Sequence, residues 1–343
     1  MVIAVDTRGS DAYQEFISNT FKLISSQHPD HIFLFIIDKH FKPPIAQNVI
    51  VENNKQPSLL SAIGLSNKTA SVLKKYDSSV LVTSKPFKTK VPLCFFVEEK
   101  MNLKYVKLSK VIIAASTIQK KEIVEKYKIT ESKIEVIYKP VNEAYHSINF
   151  DEREKIKETF AGGNEFFIAK ITDGVSKPQS ADLLMLLKAF SKFKKMQKSN
   201  MHLLIVSSEI IDEEFKEALR LYKFNTEVTL LEKELEAELS TIMASSYAAV
   251  YPFNSNDYTI LLQLMQSEVP IISADFALIK EICGNAAVYC DNTDVSIADK
   301  MMLIYKDESL RNELIENGSS QIKNFVSQAS ANSLWSSIEK AML

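Results

Sequence analysis

The residue types best suited to holding a polar, anionic ligand cluster after position 250. An apolar run at 248–251 is followed by Pro252, Ser255, Asp257, Tyr258, Thr259 and Gln263. A diphosphate needs cations, the free N–H groups of a helix amino terminus, or both. The helix expected to begin near 257–259 offers such donors, and the hydroxyls of Ser255 and Thr259 add to them. The Asp257 carboxylate repels phosphate unless it faces away.

The elements that must position these groups read as strand 248–251, helix 258–267, strand 269–273, helix 277–282 and strand 286–289. Unbroken apolar runs alternating with short helices mark strands covered on both faces, as in a parallel sheet. Ligands of such sheets lie at the carboxyl ends of the strands, which points to the loop after Tyr251.

In this stretch Pro252, Met265, Val269-Pro270, the strand at 271–273, Glu281 and Gly284-Asn285-Ala286-Ala287 stand in a telling order. The stretch resembles the donor-binding segment of the retaining nucleotide-sugar glycosyltransferases of the large family four (group 1), which have the GT-B fold. Counting back from Val269-Pro270, the family's second Glu is Gln263 here, its first Glu is Ser255, and its Gly-Phe-Gly is Asn256-Asp257-Tyr258. The resemblance implies that Gln263 hydrogen-bonds the donor's ribose. A carboxylate at Ser255 would steady an oxocarbenium-like transition state, a contribution of about 3–4 kcal/mol for a preorganised group of this kind.

The same resemblance continues along the chain. The turn at 6–10 is similar to the family's first βα turn, with Gly9 its remaining glycine; an ordinary strand-to-helix turn is the other reading. Glu98 and Glu99 stand where the family has His-Asp, either as paired carboxylates for acid/base work or as a solvated pair. The run VIIAASTIQKKEIVEKYKITESKIEVIY at 111–138 is close to the family pattern. The helix ADLLMLLKAF at 181–190 matches the family's helix after its diphosphate-binding loop. The family's Arg and Lys fall on Ser180 and Ala181, leaving Lys177 and Lys170 as the nearest cations, and Lys177 reads equally as a surface lysine. Ser207 stands in place of a glycine pair, and Glu232 where a loop meets the nucleotide base. The expected catalytic set is therefore Glu98, Glu99, Ser255 and Asp257. The expected donor-binding set is Gly9, Lys177, Ser207, Glu232, Tyr258, Thr259 and Gln263.

A chain of 343 residues is long enough for two domains. Residues 1–140 carry 21 Lys and Arg against 13 Asp and Glu, and the remainder 20 against 30, which marks two folding units. Lys100, Lys104 and Lys107 recur at i, i+4, i+7, giving a basic face that meets either an anionic surface or water. Three cysteines without metal spacing read as reduced thiols, and no metal site is expected. No leader segment is read at the amino terminus, and the apolar run at 32–37 is far short of the ~20 residues of a membrane span.

The expectation is an α/β chain of the GT-B class, with two Rossmann-like doubly wound domains facing across a cleft. Residues 1–140 with a returning helix at 326–343 form one domain, and residues 151–325 the other. Function follows the resemblance: transfer of a sugar from a nucleotide sugar, such as a UDP- or GDP-sugar, to a glycan or lipid-linked acceptor, with retention and without a cofactor. The alternative is an inactive homologue serving as partner subunit or glycan-binding module. A cytoplasmic location, peripheral membrane contact through the three lysines, and no nucleic-acid partner complete the reading.

Overall fold

The structure is a computed structural model, and it describes residues 1–37, 41–53, 68–85, 87–98, 106–171, 180–207, 210–232, 236–253 and 257–343. The chain divides into two compact units: residues 1–140 with 325–343, and residues 141–324.

In the first unit, β1 (Val2–Asp6), β2 (Ile32–Ile37), β3 (Val49–Asn53), β4 (Val80–Thr83), β5 (Leu93–Phe96), β6 (Val111–Ala114) and β7 (Ile134–Val136) form a seven-stranded sheet in the order β3-β2-β1-β4-β5-β6-β7. Every pairing is parallel, and Ala4 lies opposite both Leu34 and Leu81. Strands β4 and β6 are buried at every residue, as expected of a sheet covered on both faces.

Helix α1 (Asp11–Gln27) begins where the Ser10 side chain accepts from the Tyr13 N–H. Its stripe of Tyr13, Phe16, Ile17, Phe21 and Ile24 is buried in the sheet. Helix α2 is Lys68–Lys75, and α3 (Thr117–Tyr127) is capped by Ser116. The sequence predicts a helical region over 59–76, of which residues 59–67 lie outside the described residues.

The second unit opens with α4 (Phe150–Ala161), started by a capping box between Asn149 and Glu152 and ended by Gly162 at φ 56°. Strands β8 (Phe166–Ile171), β9 (His202–Ser207), β10 (Val228–Glu232), β11 (Ala248–Tyr251), β12 (Ile271–Ala274) and β13 (Ala287–Cys290) form a parallel sheet in the order β10-β9-β8-β11-β12-β13. Its helices are α5 (Ser180–Gln197), α6 (Glu213–Arg220), α7 (Glu236–Ala244), α8 (Thr259–Gln266), α9 (Ala277–Cys283), α10 (Asp294–Lys306) and α11 (Glu308–Gln321).

Helix α12 (Ser327–Met342) belongs to the first unit, where it lies against α1, β4, β5 and β6. Its fully buried line is Ala331, Leu334, Ile338 and Ala341. Trp335 and Met342, which the sequence places on the apolar stripe with Ile338, flank that line half-buried. Trp335 stacks on His28 with ring centroids 3.6 Å apart.

Candidate functional site

In a doubly wound sheet the chain runs outward in both directions from one pair of neighbouring strands, and the crevice beyond their carboxyl ends is unobstructed by a direct crossover. In the second unit that pair is β8 and β11. Lys170 stands one residue from the end of β8, and Gln263 lies on α8, the helix that follows β11. Lys170 Nζ donates to Gln263 Oε1 at 3.2 Å. Gln263 is only 8% exposed, so its amide is held in a fixed direction by that bond and by the surrounding core.

The amino terminus of α8 completes this corner. The Asp257 carboxylate accepts from the Thr259 N–H at 3.1 Å and from its hydroxyl at 2.6 Å. Asp257 therefore satisfies a helix-end donor, the usual task of an aspartate placed just before a helix. Tyr258 is buried at 2% exposure and belongs to the core rather than to an open surface, whereas Thr259 is half-buried. The strand before the loop is pinned by the Ser273 hydroxyl, which donates to the Tyr251 carbonyl at 3.1 Å. A lysine and a buried amide at one switch point suit a ligand that joins phosphate to hydroxyl-bearing sugar. The donors expected at the start of α8 are not open to it, because the Asp257 carboxylate takes the Thr259 N–H and hydroxyl.

Ser207 is buried at the end of β9. Glu232, the last residue of β10, accepts from the Ile211 N–H and pairs with Lys216 Nζ at 3.1 Å. Its carboxylate thus fastens α6 and the residues before it to the sheet edge. Ser255, Lys177, Glu99, Lys100 and Lys104 lie outside the described residues.

In the first unit the corresponding switch point lies between β1 and β4. A β-carbon on Gly9 would stand 2.4 Å from Tyr13 Cδ1 and 2.5 Å from Ser84 Oγ, so glycine is needed here for close packing. The Ser84 hydroxyl donates to the Arg8 carbonyl at 2.9 Å, and Arg8 Nε donates to Asp6 Oδ1 at 2.8 Å. Glu98 accepts from the Ser10 N–H at 2.7 Å and pairs with Lys85 at 3.1 Å. Burial pushes the Glu98 carboxyl up, but the bonds from Ser10 and Lys85 outweigh it and hold the group below the usual glutamate range. Glu98 is therefore an ionised helix cap at neutral pH, poorly suited to giving up a proton as a general acid. Lys107 is exposed in a turn.

Lys170 is the residue that sequence reasoning undervalued, since it stood there only as one of two nearby cations. The available signal was a lone charge in the apolar run FFIAKI, at the end of a strand otherwise buried on both faces.

Among the described residues no group of three or more His, Cys, Asp or Glu is placed to hold a metal ion, and no helix is long and apolar enough to cross a membrane.

Comparison with known proteins bears on the fold. Residues 178–321 match the family described as Glycosyl transferases group 1. The O-antigen chain mannosyltransferase RfbU of Salmonella typhimurium is 26% identical over 200 residues, which cover 55% of this chain and 49% of that protein. The chain thus spans about half the length of this curated relative. A glycosyltransferase from Rickettsia africae superposes with a TM-score of 0.76 at 17% identity, covering 99% of this chain and 98% of that one. Anabaena HepE in complex with UDP and glucose superposes with a TM-score of 0.73 at 13% identity, covering 98% and 99%. The chain has the GT-B fold of nucleotide-sugar glycosyltransferases. The family match falls within its second unit.

Proposed function

We propose that the protein transfers a sugar from a nucleotide-sugar donor to a glycan or lipid-linked acceptor, with retention of configuration. The observation that carries this reading is the Lys170–Gln263 hydrogen bond at the switch point of the second sheet. Lys170 supplies positive charge for the donor diphosphate and Gln263 meets the ribose, while the Thr259 N–H at the start of α8 is taken by Asp257. Thr259 opens α8, and Ser255 and Lys177 enter the reading through the sequence resemblance alone. The mannosyltransferase name of the matched relative and the UDP and glucose bound by the Anabaena protein support a nucleotide-sugar donor. Peripheral membrane contact through Lys100, Lys104 and Lys107 belongs to the same reading.

A second reading, an inactive homologue serving as partner subunit or glycan-binding module, is favoured by one observation. Both described carboxylates of the expected catalytic set are engaged, Asp257 at the start of α8 and Glu98 at the start of α1.

Thermal denaturation with UDP, GDP and their sugars tests the donor site, because a ligand at a hundred times its dissociation constant stabilises by about 2.7 kcal/mol. Stabilisation by one nucleotide family is expected, and no shift with any of them overturns the transferase in favour of the inactive homologue. Donor turnover with a glycan acceptor then separates transfer from binding alone.

A further inference from the structure

The residues of α8 from Ile260 to Met265 are all buried, and Gln263 is the polar member of that row. At 8% exposure its amide is costly to keep unless both of its ends find partners. One end has its partner inside the chain, where Oε1 accepts from Lys170 Nζ at 3.2 Å. An ammonium donates and never accepts, so the lysine settles the orientation of the amide and commits its carbonyl.

The other end is open. Among the described residues no group accepts from Gln263 Nε2, and this nitrogen is not one of the polar atoms sealed from solvent without a bond. Gln263 therefore presents its N–H donors to whatever enters the corner beside β8, while its acceptor is turned to the lysine.

We propose that Gln263 determines how the ribose of the donor nucleotide is read, and that it reads by donating: Nε2 gives a hydrogen bond to a ribose oxygen and asks for no hydroxyl proton in return. This inference rests on the nucleotide-sugar reading above and sharpens it into a rule about the ribose. A glutamate at the same place would do the opposite, because an ionised carboxylate only accepts. It would call for a hydroxyl proton and repel an electron-rich atom set there instead. The amide keeps its positive N–H end toward such an atom and tolerates it. A nucleotide carrying fluorine in place of the hydroxyl, an atom that cannot donate, thus remains a ligand, whereas one carrying bare hydrogen loses the bond.

The test is calorimetric titration of the full chain with UDP and GDP, each as the ribonucleotide, the 2′-deoxy form and the 2′-deoxy-2′-fluoro form, and in the matching 3′ series. At the position that Gln263 meets, the hydroxyl form binds best, the fluoro form next and the deoxy form last. Loss of one neutral hydrogen bond separates the first from the last by about threefold to tenfold. Gln263→Glu inverts the last two, and the fluoro-to-deoxy affinity ratio falls by about tenfold, as suits a bond to a charged group. Ring pucker differs among these nucleotides, but the difference is common to both proteins and cancels in the ratio. Circular dichroism checks the fold of the variant, and the order in the unaltered protein decides alone if the variant does not fold. Absence of the expected order at both positions overturns the inference, as does a ratio that Gln263→Glu leaves untouched. Either result leaves the nucleotide site itself standing. Failure of both ribonucleotides to bind removes the donor reading, and this inference with it.

Discussion

Lys170 and Gln263, 93 residues apart, meet through a hydrogen bond of 3.2 Å beside the carboxyl end of β8. The bond joins the strand that opens the second sheet to the helix that follows its fourth strand in sequence. It fixes which end of the Gln263 amide faces the lysine: the carbonyl accepts, and the NH₂ group is left to donate elsewhere.

The first prediction concerns that pair. Lys170→Met removes a charge-assisted bond of about 1.5–3 kcal/mol, weakening binding of a nucleoside diphosphate roughly tenfold to a hundredfold. Calorimetric titration with UDP or GDP, alongside the free nucleoside, reads this directly. The nucleoside should lose far less, and an equal loss for both would remove Lys170 from the phosphate.

A second prediction follows from the turn after β1. Gly9→Ala places a methyl group against the Tyr13 ring and the Ser84 hydroxyl, at separations of 2.4 and 2.5 Å. Overpacking of this kind costs about 1–3 kcal/mol. Urea unfolding of the variant should show a lower midpoint with an unchanged slope, and wild-type stability would mean the turn relaxes at no cost.

Acid stability provides a third. The folded-state pKa of Glu98 is depressed below its ordinary 4.5, so its contribution is present in full above that value and fades as pH falls through the folded pKa. Glu98→Gln should therefore be less stable than the unaltered protein at pH 7, with the difference shrinking in acid. Paired denaturation curves at pH 7 and below pH 4 give the comparison. A gap that widens in acid contradicts the assignment.

The returning helix allows a fourth. Leu334 is fully buried against the first sheet, and Leu334→Ala should cost that unit about 2–5 kcal/mol. Trp335 is the only tryptophan, and it is stacked on His28. Its emission should shift to the red when the helix leaves its seat, at a lower denaturant concentration in the variant. An unmoved transition would show that α12 contributes little.

Much of the fold was legible from residue order. The alternation of strands and short helices from residue 248 to 290 is read directly off its apolar runs. Signals of this sort act between residues a few positions apart, through sterics and local hydrogen bonds. The candidate site was legible only as a neighbourhood. Asp257 and Thr259 could be assigned to a helix start, but nothing in their spacing told whether the carboxylate served the helix or a ligand.

Sequence alone determined the two kinds of element, their alternation, and hence parallel sheets hidden on both faces. Tertiary structure decided which distant groups share a corner: Lys170 with Gln263, Glu98 with Ser10 across 88 residues, and Gly9 with Ser84. The reason is physical. Strand order places β8 beside β11 and β1 beside β4, and that order arises from the packing of whole layers rather than from any local pattern.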